Sequence, residues 1–352
     1  MEVPHGHCMA AGRVVGVTGA NGYIGSHIVK VLLERGHNVR AGARLPHNDE
    51  RVGHLQAMKS GKRGTLEILP TDILVYDDVE SLLDGCTDVI HTAATVKIKS
   101  SSPQESIIDP SLEGTRNVIR SVRQNNSIRN VIHTSSTAAI RPMKWKNGIT
   151  LASDSWANDA TIENNPYGLA KVLAEREIRS WHTEEGSPRG VRLVTIHPCM
   201  VFGPPLSSYH LRGSLTILMM LADRSMPAII PMNINIVDVR DVAEAHVRAL
   251  DIGADGGRYL VTAGSLWMRD VVSLLRTAYP NHKWPKFSIP YPIALVAAAL
   301  HPSASISWAR THLGTVLNWD SRPASEDLAI DWLDPSKSVV DTFNPIFDKK
   351  WI

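Results

Sequence analysis

Tyr167 and Lys171 are the residues whose types and spacing point most directly to chemistry. They lie in residues 165–171 (NPYGLAK), where a helix is predicted, and a spacing of four places both side chains on one helix face. A phenol normally holds its proton to about pH 10, and a neighbouring ammonium favours the phenolate. The pair is therefore a candidate for proton transfer at neutral pH. The spacing alone is weak evidence, because the same pattern occurs by chance on surface helices.

The elements that would position this pair alternate between strand and helix over the first two thirds of the chain. Such alternation requires right-handed βαβ crossovers and predicts the α/β class, with a Rossmann-type doubly wound parallel sheet. Strands are predicted at residues 13–18, 39–43, 65–69, 88–92, 130–134 and 192–197, and helices at about 23–35, 76–83, 114–124 and 167–182.

A glycine-rich segment, residues 19–25 (GANGYIG), links the first predicted strand to the first predicted helix. This is the context that a dinucleotide-binding loop requires, although a purely structural turn is the alternative. Gly19 permits the tight turn, Gly22 lets the backbone approach a pyrophosphate, and Gly25 allows close packing of helix on strand. The helix N-terminus favours phosphate. Asn21, Tyr23 and Ile24 of the same loop are predicted to contact the cofactor as well.

The end of the second predicted strand bears on the choice between NAD and NADP. NAD sites usually place Asp or Glu there for the ribose hydroxyls, whereas this chain has Ala43 followed by Arg44. A guanidinium suits a 2′-phosphate, so NADP(H) is predicted in preference to NAD(H). The alternative is that Arg44 is a surface charge and that both cofactors bind. Asp72 and Ile73 follow the third predicted strand and are predicted to contact the cofactor. Asp72 is placed to form a hydrogen bond with the adenine amine, and the alternative is that it caps a helix.

After residue 197 the alternation stops, which predicts a smaller C-terminal α+β lobe laid over the strand ends. Ligands of open α/β sheets bind at those ends, so this lobe would build the substrate pocket. The predicted organisation is an NADP(H)-binding Rossmann domain at residues 12–199, to which 232–252 return, a substrate-binding lobe at 200–231 and 253–352, and a disordered tail at 1–11.

Size and charge limit the classes of function. The chain has 352 residues, of which 43% are hydrophobic and 20% charged, as in globular proteins with a large core. The net charge of +2 gives no electrostatic reason to expect nucleic acid as a partner. Cys8, Cys86 and Cys199 are far apart, which favours a reducing compartment and predicts a cytoplasmic protein. No secretory signal is visible, and the longest apolar run, residues 293–300, is too short to span a bilayer.

Three histidines fall near the ends of predicted strands, namely His91, His133 and His197. This placement raises the question of a metal site. His91 and His133 lie inside their strands, however, and no carboxylate is spaced with the three. Packed histidines are therefore predicted, and no metal.

The motifs together resemble the extended short-chain dehydrogenase/reductase family, most closely its branch of dihydroflavonol reductases and fungal carbonyl (methylglyoxal-type) reductases. The resemblance covers nearly the whole chain from Gly12. Besides the glycine loop and Tyr167 with Lys171, it includes residues 39–44, 85–94 (GCTDVIHTAA), 110–115 (PSLEGT), 134–136 (TSS), 197–204 and 237–246 (VDVRDVAEAH).

The resemblance implies roles for individual residues. Ser136 takes the position of the catalytic serine, Tyr167 that of the proton donor, and Lys171 that of the lysine that lowers the phenol pKa and orders the nicotinamide ribose. Ser136 follows the fifth strand, where its hydroxyl would meet a developing negative charge, while Ser135 would turn to the opposite side. Further cofactor contacts are expected from Ala93, Ala94, Thr134, Pro198 and Val201, in addition to Tyr167 and Lys171.

The predicted function is hydride transfer from NADPH to a ketone or aldehyde, with a small-molecule carbonyl or alcohol as the partner and the protein a monomer or homodimer. Alternatives on the same fold are a nucleotide-sugar epimerase or dehydratase and a 3β-hydroxysteroid-dehydrogenase-like enzyme. An alternative of another class is a non-catalytic NADP(H)-binding sensor. The Asn-Trp-Tyr-Cys run of cinnamoyl-CoA reductases is absent. The substrate pocket is expected from Val96, Lys97, Thr137, Met200, Phe202 and residues 211–215.

Overall fold

A computed structural model describes residues 12–59, 63–94, 100–300 and 306–352. Val96, Lys97 and the predicted tail at 1–11 lie outside the described residues. The first part of the chain contains β1 (Val14–Thr18), α1 (Tyr23–Glu34), β2 (Asn38–Ala43), α2 (Asp49–Gln56), β3 (Leu66–Pro70), α3 (Tyr76–Leu83), β4 (Asp88–His91), α4 (Asp109–Gln124), β5 (Asn130–Thr134), β6 (Thr150–Leu151), α5 (Pro166–Trp181) and β7 (Arg192–Pro198).

The second part contains shorter strands and several helices. They are β8 (Met200–Phe202), α6 (Thr216–Ala222), β9 (Ala228–Ile229), β10 (Asn233–Asp238), α7 (Val239–Arg248), β11 (Gly257–Val261), β12 (Gly264–Trp267), α8 (Met268–Ala278), β13 (Phe287–Ser288), α9 (Tyr291–Leu300), α10 (Ile306–His312), β14 (Asn318–Trp319), α11 (Arg322–Asp327) and α12 (Pro335–Asp348). Within the described ranges, no helix is both long and apolar enough to cross a membrane.

A seven-stranded sheet forms the centre of the fold, in the order β3-β2-β1-β4-β5-β7-β11, and all its pairs are parallel. Helices α1 and α7 pack on one face and α3, α4 and α5 on the other. The central strands are buried on both faces, which explains their nearly continuous apolar sequences. The order reverses at β1, where a doubly wound sheet opens a crevice for ligands. The predicted fold class is confirmed.

The six strands and four helices predicted in the first part all occur, with small shifts of their ends. Helix α4 begins at Asp109 rather than at residue 114, because Pro110 fits the first turn of a helix, where its missing N–H is not needed. Helix α2 was not predicted. Only Val52 and Leu55 of its eight residues are buried, so its apolar pattern is too short to be seen in the sequence.

The C-terminal part of the chain is shared between two sheets. Strand β10 pairs with β8 and β12 in a separate three-stranded sheet, which packs with α6, α8 and α12 around a core that includes Phe202 and Phe343. Strand β11 instead pairs with β7 in the main sheet, although residues 253–352 were expected in the substrate lobe. Its residues Tyr259–Val261 are buried, so they complete the main sheet rather than the lobe. The division into two domains stays a prediction.

Candidate active site

The start of α5 places Tyr167 at the edge of the main sheet. The Asn165 side chain accepts the N–H of Gly168 at 2.9 Å, and Pro166 occupies the first turn. Asn and Pro are favoured at these two helix positions because they satisfy, or do not need, the unpaired N–H groups of the first turn. The sequence before Tyr167 therefore fixes where the helix begins, and with it the positions of Tyr167 and Lys171.

Ser136 follows β5 directly and begins a short 3₁₀ turn, residues Thr137–Ala139. Its Oγ accepts the N–H of Ala138 at 3.1 Å, and hydrogen bonding to Ser136 acts to lower the pKa of Tyr167. The neighbouring Ser135 is turned to the protein interior, where its Oγ donates to Glu175 at 2.7 Å. The structure thus brings Ser136, and not Ser135, to the Tyr167 side chain.

The electrostatics of Tyr167 differ from the expectation. Burial raises its pKa above the ordinary value, and this outweighs the lowering by Ser136. The Lys171 Nζ donates to the carbonyl oxygen of Thr134 at 2.9 Å and lies at the end of β5. Burial lowers the pKa of Lys171 to about 8, although the Glu175 carboxylate opposes this. The prediction that Lys171 brings the Tyr167 pKa below its usual range is therefore corrected, because loss of solvent has the larger effect.

Glu175 is a buried residue of this site that the sequence analysis missed. It follows Lys171 by one helical turn and is 0% exposed, and its carboxylate accepts hydrogen bonds from Ser135, Arg258 Nε at 2.6 Å and, across 2.8 Å, the ring of His197. Burial opposes the charged form, but His197 and Arg258 outweigh it and hold the pKa of Glu175 well below its usual range. The signal in the sequence was the spacing of four from Lys171, which puts both on one helix face.

The glycine loop has the backbone geometry that a bound pyrophosphate requires. Gly19 has φ +64°, and a Cβ there would lie 2.9 Å from the Cα of Ala93. A Cβ on Gly25 would lie 2.3 Å from the carbonyl oxygen of Gly19. The Gly22 N–H closes the turn on that same carbonyl at 2.9 Å. Only glycine fits at positions 19 and 25, and the first turn of α1 is left close to the strand end, which is suitable for a phosphate.

The other predicted residues of this loop have mixed placements. The hydroxyl of Tyr23 donates to the Gly203 carbonyl at 2.7 Å, so its side chain links α1 to the segment after β8. Ile24 packs against the main core. The carbonyl of Asn21 lies 3.2 Å from a ring nitrogen of His210. For Tyr23 and Ile24, whose side chains are engaged within the protein, contact with a cofactor is therefore open mainly to the backbone.

At the adenine end, Arg44 is exposed directly after β2, behind the buried Ala43. The Asp72 carboxylate accepts the N–H of Leu74 at 3.0 Å and so closes a turn. The N-cap residue of α3 is Val75, which means that the helix-cap alternative for Asp72 is wrong. The side chain of Ile73 points towards α4, since a Cβ on Gly114 would lie 2.4 Å from its Cδ1.

The remaining predicted cofactor residues lie at the ends of β4, β5, β7 and β8. Ala93 and Ala94 are partly buried after β4. The Thr134 Oγ1 lies 2.8 Å from a ring nitrogen of His246, and the Pro198 carbonyl accepts the Thr137 hydroxyl at 3.3 Å. Val201 is only 3% exposed and belongs to the main core. Its side chain therefore packs within the protein.

The three strand-end histidines are packed inside the protein. His91 lies 2.8 Å from the Thr18 hydroxyl, and its ring centroid is 5.3 Å from that of His133. Burial lowers the pKa of His91 to about 3, so its ring is neutral at physiological pH. His197 is bonded to Glu175 instead. Within the described part of the chain, no group of three or more metal-binding side chains comes together.

Known proteins resemble this chain over most of its length. The sequence matches the NAD dependent epimerase/dehydratase family over residues 15–262. Cinnamoyl-CoA reductase 1 of Petunia hybrida is 34% identical over 278 residues, which are 78% of this chain and 80% of the relative. Dihydroflavonol 4-reductase of Zea mays is 26% identical over 275 residues, 77% of this chain and 75% of the relative.

Among solved structures, the yeast methylglyoxal/isovaleraldehyde reductase Gre2, complexed with NADPH, has a TM-score of 0.76 and 24% identity. The likeness covers 96% of this chain and 100% of that one. These matches confirm the resemblance to extended short-chain dehydrogenases/reductases that the motifs predicted. Because the family match at residues 15–262 covers more than half of the chain, the chain belongs to the NAD dependent epimerase/dehydratase family.

Proposed function

We propose that this protein is a reductase that uses NADPH to convert a ketone or an aldehyde into an alcohol. The observation that carries the proposal is the meeting of Ser136, Tyr167 and Lys171 where β5 ends and α5 begins. That edge of a parallel sheet is where ligands of α/β proteins bind. The predicted oxidoreductase class agrees with the curated relatives, which are themselves reductases.

The residues of the site support the acid–base part of this reaction. NADPH, when bound, supplies the hydride. The Ser136 hydroxyl is placed to donate a hydrogen bond to the carbonyl oxygen as negative charge develops on it. Tyr167, whose pKa is raised by burial, holds its proton at neutral pH and is able to transfer it to the developing alkoxide. The Lys171 ammonium adds positive charge to the same site.

The residues at the cofactor end fit NADPH. The close packing at Gly19 and Gly25, where a Cβ would meet the backbone of Ala93 and of Gly19, supports a tight loop that brings the first turn of α1 near a pyrophosphate. The exposed Arg44 stands at the end of β2 in place of an acidic residue, where a guanidinium is able to pair with a 2′-phosphate. We assign Gly22, Tyr23 and Ile24 to cofactor binding through their backbone, and Asn21 to the same loop of the cofactor site. Asp72, Ile73, Ala93, Ala94, Thr134, Pro198 and Val201 remain assigned to the cofactor site by resemblance.

The other predicted functions have weaker support. An epimerase or dehydratase, or a hydroxysteroid-dehydrogenase-like enzyme, would use the same fold, but the named relatives at 26% and 34% identity are reductases. A non-catalytic sensor would not need Tyr167 and Lys171 to meet Ser136. A screen of NADPH oxidation with ketones, aldehydes, flavanonols and hydroxysteroids, together with product chirality, would identify the substrate.

The direct test of the mechanism is Tyr167→Phe, which removes the transferable proton and keeps the ring. We expect turnover to be abolished while NADPH binding, measured by fluorescence titration, is unchanged. Tyr76→Phe is the matched control, because the Tyr76 hydroxyl bonds Glu80 at the surface of α3. Retained activity in Tyr167→Phe, or equal losses in both variants, would refute the assignment.

A further inference from the structure

Among the described residues, the guanidinium of Arg141 has no hydrogen-bond or ion-pair partner, and Arg141 follows Ser136 by five residues. The residue is partly buried and follows the 3₁₀ turn that Ser136 begins, with its backbone N–H bonded to the Thr137 carbonyl at 2.9 Å. In the part of the chain that the structure describes, no carboxylate pairs with the guanidinium and no acceptor hydrogen-bonds it. Burial alone lowers the pKa of Arg141 to about 10, and no acidic group offsets this.

Two other partly buried arginines of this protein have protein acceptors for most of their guanidinium N–H groups. Arg192 donates to the backbone carbonyls after α7, including that of Ile252 at 2.9 Å. Arg258 pairs with Glu175 at 2.6 Å and donates to further carbonyls. Taking a cation out of water is unfavourable unless a partner replaces the lost hydration. Arg141 differs from these two arginines, because none of the described residues supplies an acceptor for its guanidinium, which suits an acceptor supplied by a ligand.

The described surroundings of Arg141 supply further N–H donors, and the nearby Asp159 carboxylate accepts the backbone N–H of Met143 at 2.9 Å rather than the guanidinium. Its guanidinium carbon lies 5.2 Å from the centroid of the Trp145 ring, an arrangement that leaves the in-plane N–H groups free for a ligand. The indole N–H groups of Trp145 and Trp319 are buried with no acceptor among the described residues. Both tryptophans pack on the same small apolar cluster as Ile140, and the next charged residue along the segment is Lys144. A site made of N–H donors favours an anion.

The position of Arg141 connects this donor site to substrate rather than to NADPH. The Trp145 ring packs edge-on against His312 of α10 at 4.5 Å, so the segment meets the C-terminal part of the chain here. Ile140 packs against Leu260 of β11, on the side of β5 away from β1 and the glycine loop. Five residues of 3₁₀-like chain separate Arg141 from Ser136, which is on the order of 10 Å. One small molecule is able to span that distance.

We propose that the physiological substrate is a ketone or aldehyde that also carries a carboxylate, and that Arg141 binds this carboxylate. The planar guanidinium is suited to two parallel hydrogen bonds with a carboxylate, and the Trp145 indole N–H is a further donor. This inference rests on the proposed reductase function and narrows its substrate class to oxo acids. It assigns a specificity role to a residue outside the Ser136, Tyr167 and Lys171 set.

The kinetic test compares each acid with its neutral ester. The probes are 4-formylbenzoate and methyl 4-formylbenzoate, and the longer 4′-formylbiphenyl-4-carboxylate with its methyl ester, each reduced with NADPH. We expect the wild type to prefer one of the acids over its ester by at least tenfold in kcat/KM. Arg141→Gln should remove the preference by raising KM for the acid, and Arg141→Lys should restore it in part. Lys144→Gln, an exposed cation three residues away, should change neither substrate.

A binding measurement separates this inference from the proposed function. Biphenyl-4-carboxylate, which has no carbonyl to reduce, is titrated calorimetrically into the NADPH-loaded wild type and Arg141→Gln. Binding that is at least tenfold weaker in the variant supports the carboxylate site, even if no probe is turned over and the reductase proposal fails. No binding to the wild type, or equal binding to both proteins, overturns the inference. Equal slowing of acid and ester reduction in Arg141→Gln also overturns the inference, and in that case the proposed reductase function stands.

The variant itself should fold. Replacing an unpaired, partly buried cation by a neutral amide removes an unfavourable burial, so the Tm of Arg141→Gln should be equal to or above that of the wild type. If Arg141→Gln nevertheless fails to fold, Arg141→Lys provides the same comparison, because an ammonium keeps the charge but loses the two-pronged geometry. Arg141→Lys could instead keep the full preference for the acid and the full affinity for the carboxylate probe. That result would contradict the proposed pair of hydrogen bonds between the Arg141 guanidinium and the substrate carboxylate.

Discussion

Replacing Glu175 by Gln tests the electrostatics that keep Lys171 charged. Glu175 is fully buried one helical turn after Lys171, and its carboxylate is the group that opposes the lowering of the Lys171 pKa by burial. The substitution keeps the shape of the side chain and removes its charge. Charged or titratable groups from several elements face Lys171 and Glu175. They are Arg179 of α5, His91 of β4, His133 of β5, His197 of β7 and Arg258 of β11.

The size and sign of the effect follow from the spacing. Side chains four apart on a helix lie roughly 6 Å from each other, and opposite charges at that distance interact by about 3 kcal/mol at an effective dielectric constant of about 20. With about 1.4 kcal/mol per pH unit, the alkaline limit of activity should move by roughly one to two pH units. The carboxylate favours protonated Lys171, so its loss lowers the pKa. In the wild type, activity that requires the Lys171 ammonium should be lost above about pH 8. In Glu175→Gln the same loss should occur at a lower pH.

The assay is kcat/KM for carbonyl reduction from neutral to alkaline pH. Glu177→Gln is the control, since Glu177 lies on the same helix but pairs with Arg116 at the surface. Glu175→Asp, which retains the charge, should keep the limit near that of the wild type. The reasoning is refuted if Glu175→Gln has the same alkaline limit as the wild type, as Glu175→Asp and Glu177→Gln are expected to have. A residue with a purely structural role would lower the Tm without moving the pH profile.

The stability of the variant has to be considered with its pH profile. Glu175→Gln leaves the Arg258 guanidinium without its carboxylate, and breaking a buried pair from one side costs about 3–5 kcal/mol. If the single variant does not fold, Glu175→Gln with Arg258→Gln removes both charges and avoids the unpaired cation. The double variant still lacks the negative charge beside Lys171, so a downward shift of the alkaline limit is expected, smaller than in the single variant because loss of the Arg258 cation favours protonated Lys171.

Three further predictions concern the cofactor and the serines. Arg44→Ala should raise KM for NADPH by roughly tenfold to a hundredfold, because it removes charge-assisted hydrogen bonds worth about 1.5–3 kcal/mol. It should leave KM for NADH nearly unchanged. Equal effects on both cofactors would contradict the 2′-phosphate contact. Gly25→Ala, whose Cβ would lie 2.3 Å from the Gly19 carbonyl, should abolish NADPH binding in a fluorescence titration, while Gly53→Ala, with 4.0 Å of space, should not. Ser136→Ala should reduce kcat by about a hundredfold or more, whereas Ser135→Ala, which breaks a buried bond to Glu175, should mainly lower the Tm.

Much of the main sheet could be predicted because its signals are local. Buried strands such as β1 and β5 are short apolar runs, and helix starts such as that of α5 are marked by Asn and Pro. Strand β11 was recognised as a strand but assigned to the wrong part of the fold. Its position is determined by pairing with β7, some 60 residues earlier in the chain, and no local pattern records that partner.

The candidate site could be read from the sequence to a similar extent, and its roles stay a prediction. Tyr167 and Lys171 were visible because four residues separate them, and Ser136 was identified by the resemblance together with its place after a strand. Arg258 is 83 residues from Glu175, and their ion pair depends on the sheet that brings α5 and β11 together. The pKa of Tyr167 was mispredicted for a related reason. The spacing shows a neighbouring ammonium, but the burial that dominates the pKa is a property of the folded protein.

The buried charges around Lys171 explain how a raised Tyr167 pKa is compatible with proton transfer. Burial favours the neutral forms of both Tyr167 and Lys171, so the resting site keeps its phenol protonated. Lys171, Arg179 and Arg258 are positively charged and Glu175 is negatively charged, so positive charge is in excess around the site. An alkoxide that develops beside this excess is stabilised in a site from which water is largely excluded, and the same field favours a tyrosinate once its proton has left. Under the proposed mechanism, Tyr167 therefore donates its proton as negative charge appears on the substrate oxygen.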